Sequence, residues 1–454
     1  MCSWKWASPS SPGRSSAEPT LAQSCSSATG ETWSSRRSRV SPFGRISQWV
    51  EASAKAKGGY HAAVHDPTVG LYVHVPFCER ICPYCDFAVV RARVLKPELE
   101  NAYVDALLKE LAARKETFAQ RRLETVYLGG GTPSLLRPES VARILAAARE
   151  AFAETAPEEV TLEVNPSTLE RARLPAFRAA GVNRLSVGVQ SFNDLVLHRL
   201  GRAHRACEAR KTLHSAREAG FVNLSLDLIF GAPRQSEEDF ARDLEETIAF
   251  APQHVSAYGL TIEAGTPFAL AAERGQLGPA DDDSVAMMME LAATRLAAAG
   301  LAPYEISSFA RPGFESRHNR RYWERRPVLG IGVGAWSSEP PTPWEPFGAR
   351  SANVRGLAEY LARIAQGELP AEGTREVLDE RTARGEAMFL ALRTTGGLDA
   401  ERFAAEFGGP PRRFFAGAID SCTKAGLLCE LRGGDLRLTA RGRLLSDSVF
   451  AQLV

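Results

Sequence analysis

Net charge is almost absent from this sequence: 55 lysines and arginines face 54 aspartates and glutamates, a formal charge of +1. Such a balance offers no electrostatic grip on nucleic acid or acidic lipid. Also missing is any apolar run long enough to span a bilayer. The first twenty residues are Ser-rich and lack the continuous apolar stretch of a secretory signal. The expected compartment is therefore the cytoplasm, with neither nucleic acid nor a transmembrane segment involved. No internal repeat is visible, and no second cysteine pair lies near the one cysteine-dense stretch.

What is present is ordinary bulk around one unusual loop. The 454 residues suffice for two or three domains, and 44% hydrophobic with 24% charged residues fit a soluble globular chain. Three of the eight cysteines crowd into a single loop. In a long chain without a signal peptide, cysteines read as metal-binding, catalytic or buried rather than disulfide-bonded. The scattered Cys207, Cys422 and Cys429 read as core thiols.

Residues 1–66 are poor in aliphatic side chains and aperiodic, so a disordered N-terminal tail is expected. From residue 67 short β-branched runs at 71–75, 125–128, 160–164, 184–189, 224–229 and 255–260 alternate with helical patterns at 97–114, 138–152, 208–219 and 237–249. This alternation predicts an α/β fold with a parallel sheet: a partial TIM-type (β/α)6 barrel over 67–300, with a doubly wound open sheet as the competitor. The strand composition suits a sheet covered on both faces. A helix at 282–299 leads into a barrel extension at 301–370. After a linker near 366–374, residues 375–454 read as helices plus a hairpin at 427–438 turning on Gly433 and Gly434. That pattern predicts a small, mainly helical, winged-helix-like domain.

The loop reads Cys78-Glu-Arg-Ile-Cys82-Pro-Tyr84-Cys85 and follows the first strand. Thiolates are soft donors that suit iron–sulfur clusters or zinc. Structural zinc usually closes with two ligand pairs, and a zinc site here needs a distant fourth ligand. Three thiolates on a tight loop can instead hold three irons of a [4Fe–4S] cube and leave the fourth open to a chelating cofactor. After the second strand comes Gly129-Gly130-Gly131-Thr132, where missing Cβ atoms let a ligand approach the backbone. Glu163, Gln190, Arg202 and Asp227 follow at or near successive strand ends, the face where α/β barrels collect their sites. Carboxylates can hold ribose hydroxyls or an ammonium, and Arg can pair with a carboxylate.

Taken in order, these motifs resemble the radical S-adenosylmethionine superfamily, and within it the oxygen-independent coproporphyrinogen III oxidase-like group, from about Gly70 to the C-terminus. The resemblance implies a [4Fe–4S] cluster on Cys78, Cys82 and Cys85 whose open iron is chelated by the methionine half of S-adenosylmethionine (SAM). Electron transfer from the cluster, supplied by an electron donor, then breaks the sulfonium bond and yields a 5′-deoxyadenosyl radical. By the same resemblance Gly130, Gly131 and Thr132 meet the methionine amino group. Tyr72, Tyr84, Glu163, Gln190, Arg202 and Asp227 complete the SAM site, although Tyr72 also reads as a simple strand residue.

The group divides into oxidases and heme chaperones. Oxidases carry a further cysteine two residues after the loop, where this chain has Phe87. The chaperones carry His-Asn-x-x-Tyr-Trp, present here as His318-Asn319-Arg-Arg-Tyr322-Trp323. Imidazole can ligate heme iron and flat rings pack on porphyrin, so His318 is the candidate axial ligand, with Tyr322 and Trp323 as packing partners. Oxidases also close an ordered segment over substrate, work for which the Ser-rich tail looks unsuited. Two departures from the relatives' pattern stand out: Trp336 where His is common, and Arg234 where Gly is common. The expected function is a radical-SAM-type heme chaperone that binds heme and delivers it to respiratory acceptors, with no catalytic residue assigned. The alternative is oxidative decarboxylation of coproporphyrinogen III to protoporphyrinogen IX in heme biosynthesis.

Overall fold

Six strands alternate along the chain between two kinds of neighbour. They are β1 (Thr68–Val75), β2 (Arg122–Gly130), β3 (Glu159–Val164), β4 (Arg184–Gln190), β5 (Asn223–Phe230) and β6 (His254–Gly259). In β1 to β5 one side-chain set is apolar: Leu71, Val73, Val126, Leu128, Leu162, Leu185, Val187, Leu224 and Leu226 are fully buried. Each such side chain contributes roughly 1.5–3 kcal/mol by leaving water. The alternate set is polar, including Thr125, Thr161, Arg184, Ser186, Ser225 and Asp227, and it too is buried. Because strand side chains alternate between faces, the sheet has an apolar face under helices and a polar inner face. Both faces are covered, as the strand composition led one to expect, but the inner one is built for hydrogen bonding.

The computed structural model describes residues 66–152, 156–370, 373 and 375–453. The expected disordered tail over 1–66 lies outside them, apart from its last residue. The crossover helices are α1 (Pro97–Arg114), α2 (Pro138–Ala151), α3 (Thr168–Ala179), α4 (Ala206–Glu218) and α5 (Glu237–Phe250). Pro97 and Pro138 open their helices at the first turn, where a missing N–H costs nothing. Ser236 starts α5 with a reciprocal cap to Asp239. The strand–helix alternation implies α3 as well, although its interior Pro175 argues locally against a helix.

Strands β1 to β6 lie side by side in sequence order and pair in parallel. Sequential order removes the doubly wound alternative, which reverses direction at the first strand, and fits a partial barrel. A seventh parallel strand, β7 (Val328–Ile331), joins the free side of β1. Antiparallel strands extend both edges, Ser308–Ala310 beside β6 and Trp336–Glu339 beside β7.

Beyond the sheet, α6 (Asp282–Ala298) and the short α7 (Arg317–Trp323) precede a helical C-terminal region that begins with α8 (Glu380–Arg393). That region has its own core, including Met388, Leu392, Phe403, Phe407, Ile419 and Leu436. Its hairpin pairs Leu428–Glu430 with Leu436–Leu438. Gly433 and Gly434 make the turn at φ 94° and 92°, angles open mainly to glycine. Cys422 is buried in this core, but Cys207 and Cys429 are exposed, so two of the three expected core thiols are surface residues. Cys207 lies in the first turn of α4, and Cys429 points outward from the hairpin.

Candidate functional site

The cysteine loop leaves the C-terminal end of β1 and is clamped by backbone. Gly131 N–H donates to Val75 O and Thr132 N–H to Phe77 O, both at 2.8 Å. A Cβ on Gly131 would lie 2.8 Å from each of those oxygens. On Gly130, whose φ is +108°, it would lie 2.5 Å from the His74 ring. Gly201 makes a third close approach, since its Cβ would meet Pro83 Cδ at 2.5 Å. The glycine run at the end of β2 and the glycine before Arg202, in the turn after a short helix (Asp194–Arg199), therefore both press against the cysteine loop.

Around the thiols runs a path of side-chain hydrogen bonds. Arg202 Nη1 donates to Cys82 Sγ at 3.4 Å, and its Nη2 donates to Asn165 Oδ1 at 2.6 Å. Asn165 Nδ2 then donates to Thr132 Oγ1 at 2.7 Å, and that hydroxyl donates to Cys78 Sγ at 3.7 Å. Burial pushes the Cys78 thiol up to about 12 and the Cys85 thiol up to about 11. Tyr84, within the loop, has its ring 6.1 Å from that of Phe268.

Glu163, near the end of β3, is buried and tied to the glycine run. Its carboxylate accepts from Tyr127 Oη at 2.8 Å and from Gly130 N–H at 3.1 Å. Burial raises its pKa against those two bonds. Gln190 ends β4 with φ +67°, a left-handed conformation costly for a residue with a Cβ. The β4–β5 register shifts just before it. Asp227 lies deeper on β5, where both carboxylate oxygens accept from Ser186 Oγ, at 3.1 and 2.9 Å. Tyr72 is half-buried on β1; its hydroxyl meets His74 Nδ1 at 3.1 Å and its ring stacks on Tyr127.

The expected heme residues occupy the opposite end of the sheet. His318 is 1% exposed. Its Nδ1 meets Thr125 Oγ1 at 2.8 Å, near the start of β2, and its Nε2 meets Tyr322 Oη at 3.2 Å. Glu159, the first residue of β3, accepts from the Arg317 and His318 N–H groups at 3.1 and 3.0 Å. Arg321, fully buried between His318 and Trp323 in the chain, pairs with Glu124 and with Asp66. Helix α7 is thus riveted to the sheet floor. Burial drives the His318 pKa down to about 3, so the ring is neutral, as a ligand must be. Both of its nitrogens are nevertheless engaged in this conformation. Trp323 does not join His318: it is buried under the Arg393 guanidinium of α8, 4.7 Å above its ring.

Among the described residues, no three His, Cys, Asp or Glu side chains converge tightly enough for one metal ion. A four-iron cube takes each thiolate on a different iron, so the fit is judged by the surroundings. Arg202 Nε is buried without a partner, and donors already point at two of the three sulfurs. Backbone with no Cβ faces the same loop. These features suit a large anionic cluster with a small-molecule ligand beside it.

The structure therefore brings Cys78, Cys82, Cys85, Tyr84, Gly130, Gly131, Thr132, Glu163 and Arg202 into one region. Asp227 lies below it, and His318, Tyr322 and Trp323 are apart from it. Sequence reasoning missed Asn165, His74, Tyr127 and Arg321. Asn165 stood in view just after the third strand, and Arg321 within the six-residue motif. Of the two departures, Arg234 holds φ +56°, which explains why glycine suits that position. Trp336 is half-buried in an antiparallel strand paired on both sides, opposite Ala352.

Comparison with known proteins agrees with the fold. A model described as the radical SAM superfamily matches residues 72–247, and one described as the HemN C-terminal domain matches 378–445. "Heme chaperone HemW" of Bacillus subtilis is 33% identical over 84% of this chain and 97% of its own length. "Heme chaperone HemW" of Mycobacterium tuberculosis is 37% identical over 85% of this chain and 94% of its own. Among solved structures, coproporphyrinogen III oxidase (HemN) from Escherichia coli superposes with a TM-score of 0.72 and 26% identity, covering 89% of this chain and 93% of that one. The chain belongs to the radical S-adenosylmethionine superfamily, in the HemN-like group that includes the heme chaperones.

Proposed function

We propose that this chain is a heme chaperone of the cytoplasm: it holds a [4Fe–4S] cluster on Cys78, Cys82 and Cys85, binds SAM beside it, and delivers heme to respiratory acceptor proteins. The observation that carries the cofactor site is the path Cys82–Arg202–Asn165–Thr132–Cys78. Such donors orient thiolate ligands and tune the potential of what they hold. When bound, cluster and SAM supply one-electron chemistry, with electrons from a separate donor. The glycine run, Glu163 and Gln190 position the small molecule, Arg202 offers a cation to its carboxylate, and Asp227 offers acceptors deeper in the sheet. The full-length match to relatives named heme chaperones supports the heme role, as does Phe87 in place of an oxidase cysteine. His318 is the proposed iron ligand; to serve, its Nε2 must leave Tyr322.

The E. coli oxidase neighbour favours a second reading, oxidative decarboxylation of coproporphyrinogen III. One experiment separates the two. Anaerobically reconstituted protein is titrated with hemin and assayed in parallel for coproporphyrinogen III consumption with SAM and a reductant. Tight hemin binding without turnover is the expected result; turnover establishes the oxidase. A Cys78→Ala chain that retains the full iron and sulfide, or a wild-type chain that takes up zinc alone, sinks both.

A further inference from the structure

Arg184 is the first residue of β4 and is 1% exposed. Its neighbours along the strand, Leu185 and Val187, face the helices, so Arg184 belongs with Ser186 on the polar inner face. There it is nearly unpartnered among the described residues. Its one hydrogen bond runs from Nη1 to Thr161 Oγ1 at a long 3.5 Å, and Nε is buried with no partner. No described carboxylate lies within ion-pair distance of it. The inner-face carboxylates are already engaged: Glu159 with the Arg317 and His318 N–H groups, Glu163 with Tyr127 and Gly130, Asp227 with Ser186. His254 and His318, both depressed first by burial and then by nearby guanidinium groups including Arg184, are neutral and give no counter-charge.

A buried guanidinium without an anion carries a desolvation cost that folds rarely retain unless a ligand offsets it. We propose that Arg184 is the receptor for a ligand carboxylate on the inner face and, resting on the heme reading above, that this carboxylate is a porphyrin propionate. The planar guanidinium suits it, since its fork of donors matches a carboxylate in two places. The methionine carboxylate of SAM is the other source of the same chemistry. It belongs with Arg202 beside the cysteines, because six residues of strand separate Arg184 from Gln190, a span of roughly 20 Å. Tyr72, Tyr127 and His318 form a group of rings on the same face, with centroids 5.2–6.4 Å apart.

The test uses the reconstituted full chain and Arg184→Met, which removes the charge at similar volume. Hemin, hemin dimethyl ester and SAM are titrated separately. The variant should bind hemin at least tenfold more weakly, bind SAM as wild type does, and melt no lower than wild type without ligand. Wild type should bind the ester as poorly as the variant binds hemin. A variant with unchanged hemin affinity, or an ester bound as well as hemin, overturns the Arg184 assignment while leaving the chaperone reading intact. Loss of SAM affinity alone reassigns the carboxylate to the cofactor and overturns the propionate. Coproporphyrin III, with four carboxylates, is the second probe. If wild type binds it through Arg184 but does not bind hemin, the chaperone reading falls and the Arg184 site stands; if neither porphyrin binds, both fall.

Discussion

Arg202 donates to the side-chain oxygen of Asn165 at 2.6 Å, and that bond links the contacts at Cys82 to those at Cys78. The two residues lie on different strand–helix connections, 37 positions apart. Among the described residues, Arg202 Nη2 otherwise reaches Gly188 O at a longer 3.3 Å.

Replacing Asn165 by Ala should therefore damage the cofactor site more than the fold. A hydrogen bond to a charged group contributes about 1.5–3 kcal/mol, so SAM affinity should fall roughly tenfold or more. Iron and sulfide content should stay near wild type. Asn165→Asp keeps an acceptor for Arg202 but loses the donor to Thr132, and should be intermediate. Calorimetric titration of SAM into reconstituted protein checks this, and equal affinities for all three chains would contradict it.

Gly131→Ala tests the clamp on the cysteine loop. The new Cβ meets two backbone oxygens at 2.8 Å, which cannot rotate away, so a cost of about 1–3 kcal/mol is expected. The loop should shift and iron content should drop. Gly265→Ala is the control: its φ is +81° with nothing within 4 Å of the added Cβ. It should cost only about 1–2 kcal/mol of backbone strain and keep its iron. Iron per chain and melting temperature, measured on both, separate the clash from the strain.

Much of this was legible in the sequence because it is local. The cysteine spacing, the glycine run and the strand-by-strand order of polar residues are all read within short windows. The six parallel strands also announced themselves through their apolar runs. What escaped was set by distance. Asn165 looks like any polar residue after a strand until the fold carries Arg202 and Thr132 to either side of it. Strand β7 pairs with β1 across some 250 positions, and no local pattern encodes that register. Trp323 read as a porphyrin partner because its stacking cation, Arg393, lies on a separate helix. The polar inner face was hidden differently: its period-two signal is present, as in Leu224-Ser225-Leu226-Asp227, but the apolar half of each strand dominates the reading.

The buried histidines should cost the fold stability between about pH 6.5 and pH 3, opposed by buried carboxylates such as Asp243, raised to about 6, and Glu386, raised to about 7. Burial holds His318 at a pKa of about 3 and His254 well below its ordinary 6.5. Across that window these histidines bind protons in the unfolded chain that they refuse in the folded one, so their contribution to unfolding free energy rises with pH and levels off above about 6.5. The urea midpoint of wild type should therefore fall relative to that of a His318→Gln chain as pH drops from 7 to 5. If the difference between the two midpoints does not change with pH, His318 is not buried neutral in solution.

The heme role of His318 has a sharper test in its partner than in the histidine itself. His318→Ala removes the ring but also unpins α7 from Thr125, so lost binding alone is ambiguous. Tyr322→Phe instead removes only the hydroxyl at 3.2 Å from Nε2 and leaves Thr125 and Glu159 to hold the helix. If Nε2 ligates iron, that variant frees it, and hemin should bind more tightly, severalfold, with the same absorption bands. His318→Ala should then lose the bands of a histidine-ligated heme even where some hemin still binds. If Tyr322→Phe leaves affinity unchanged and His318→Ala keeps the wild-type spectrum, the six-residue motif closes the floor of the sheet and heme is held elsewhere. Absorption titration of both variants, with melting temperatures to confirm folding, decides between a ligand and a rivet.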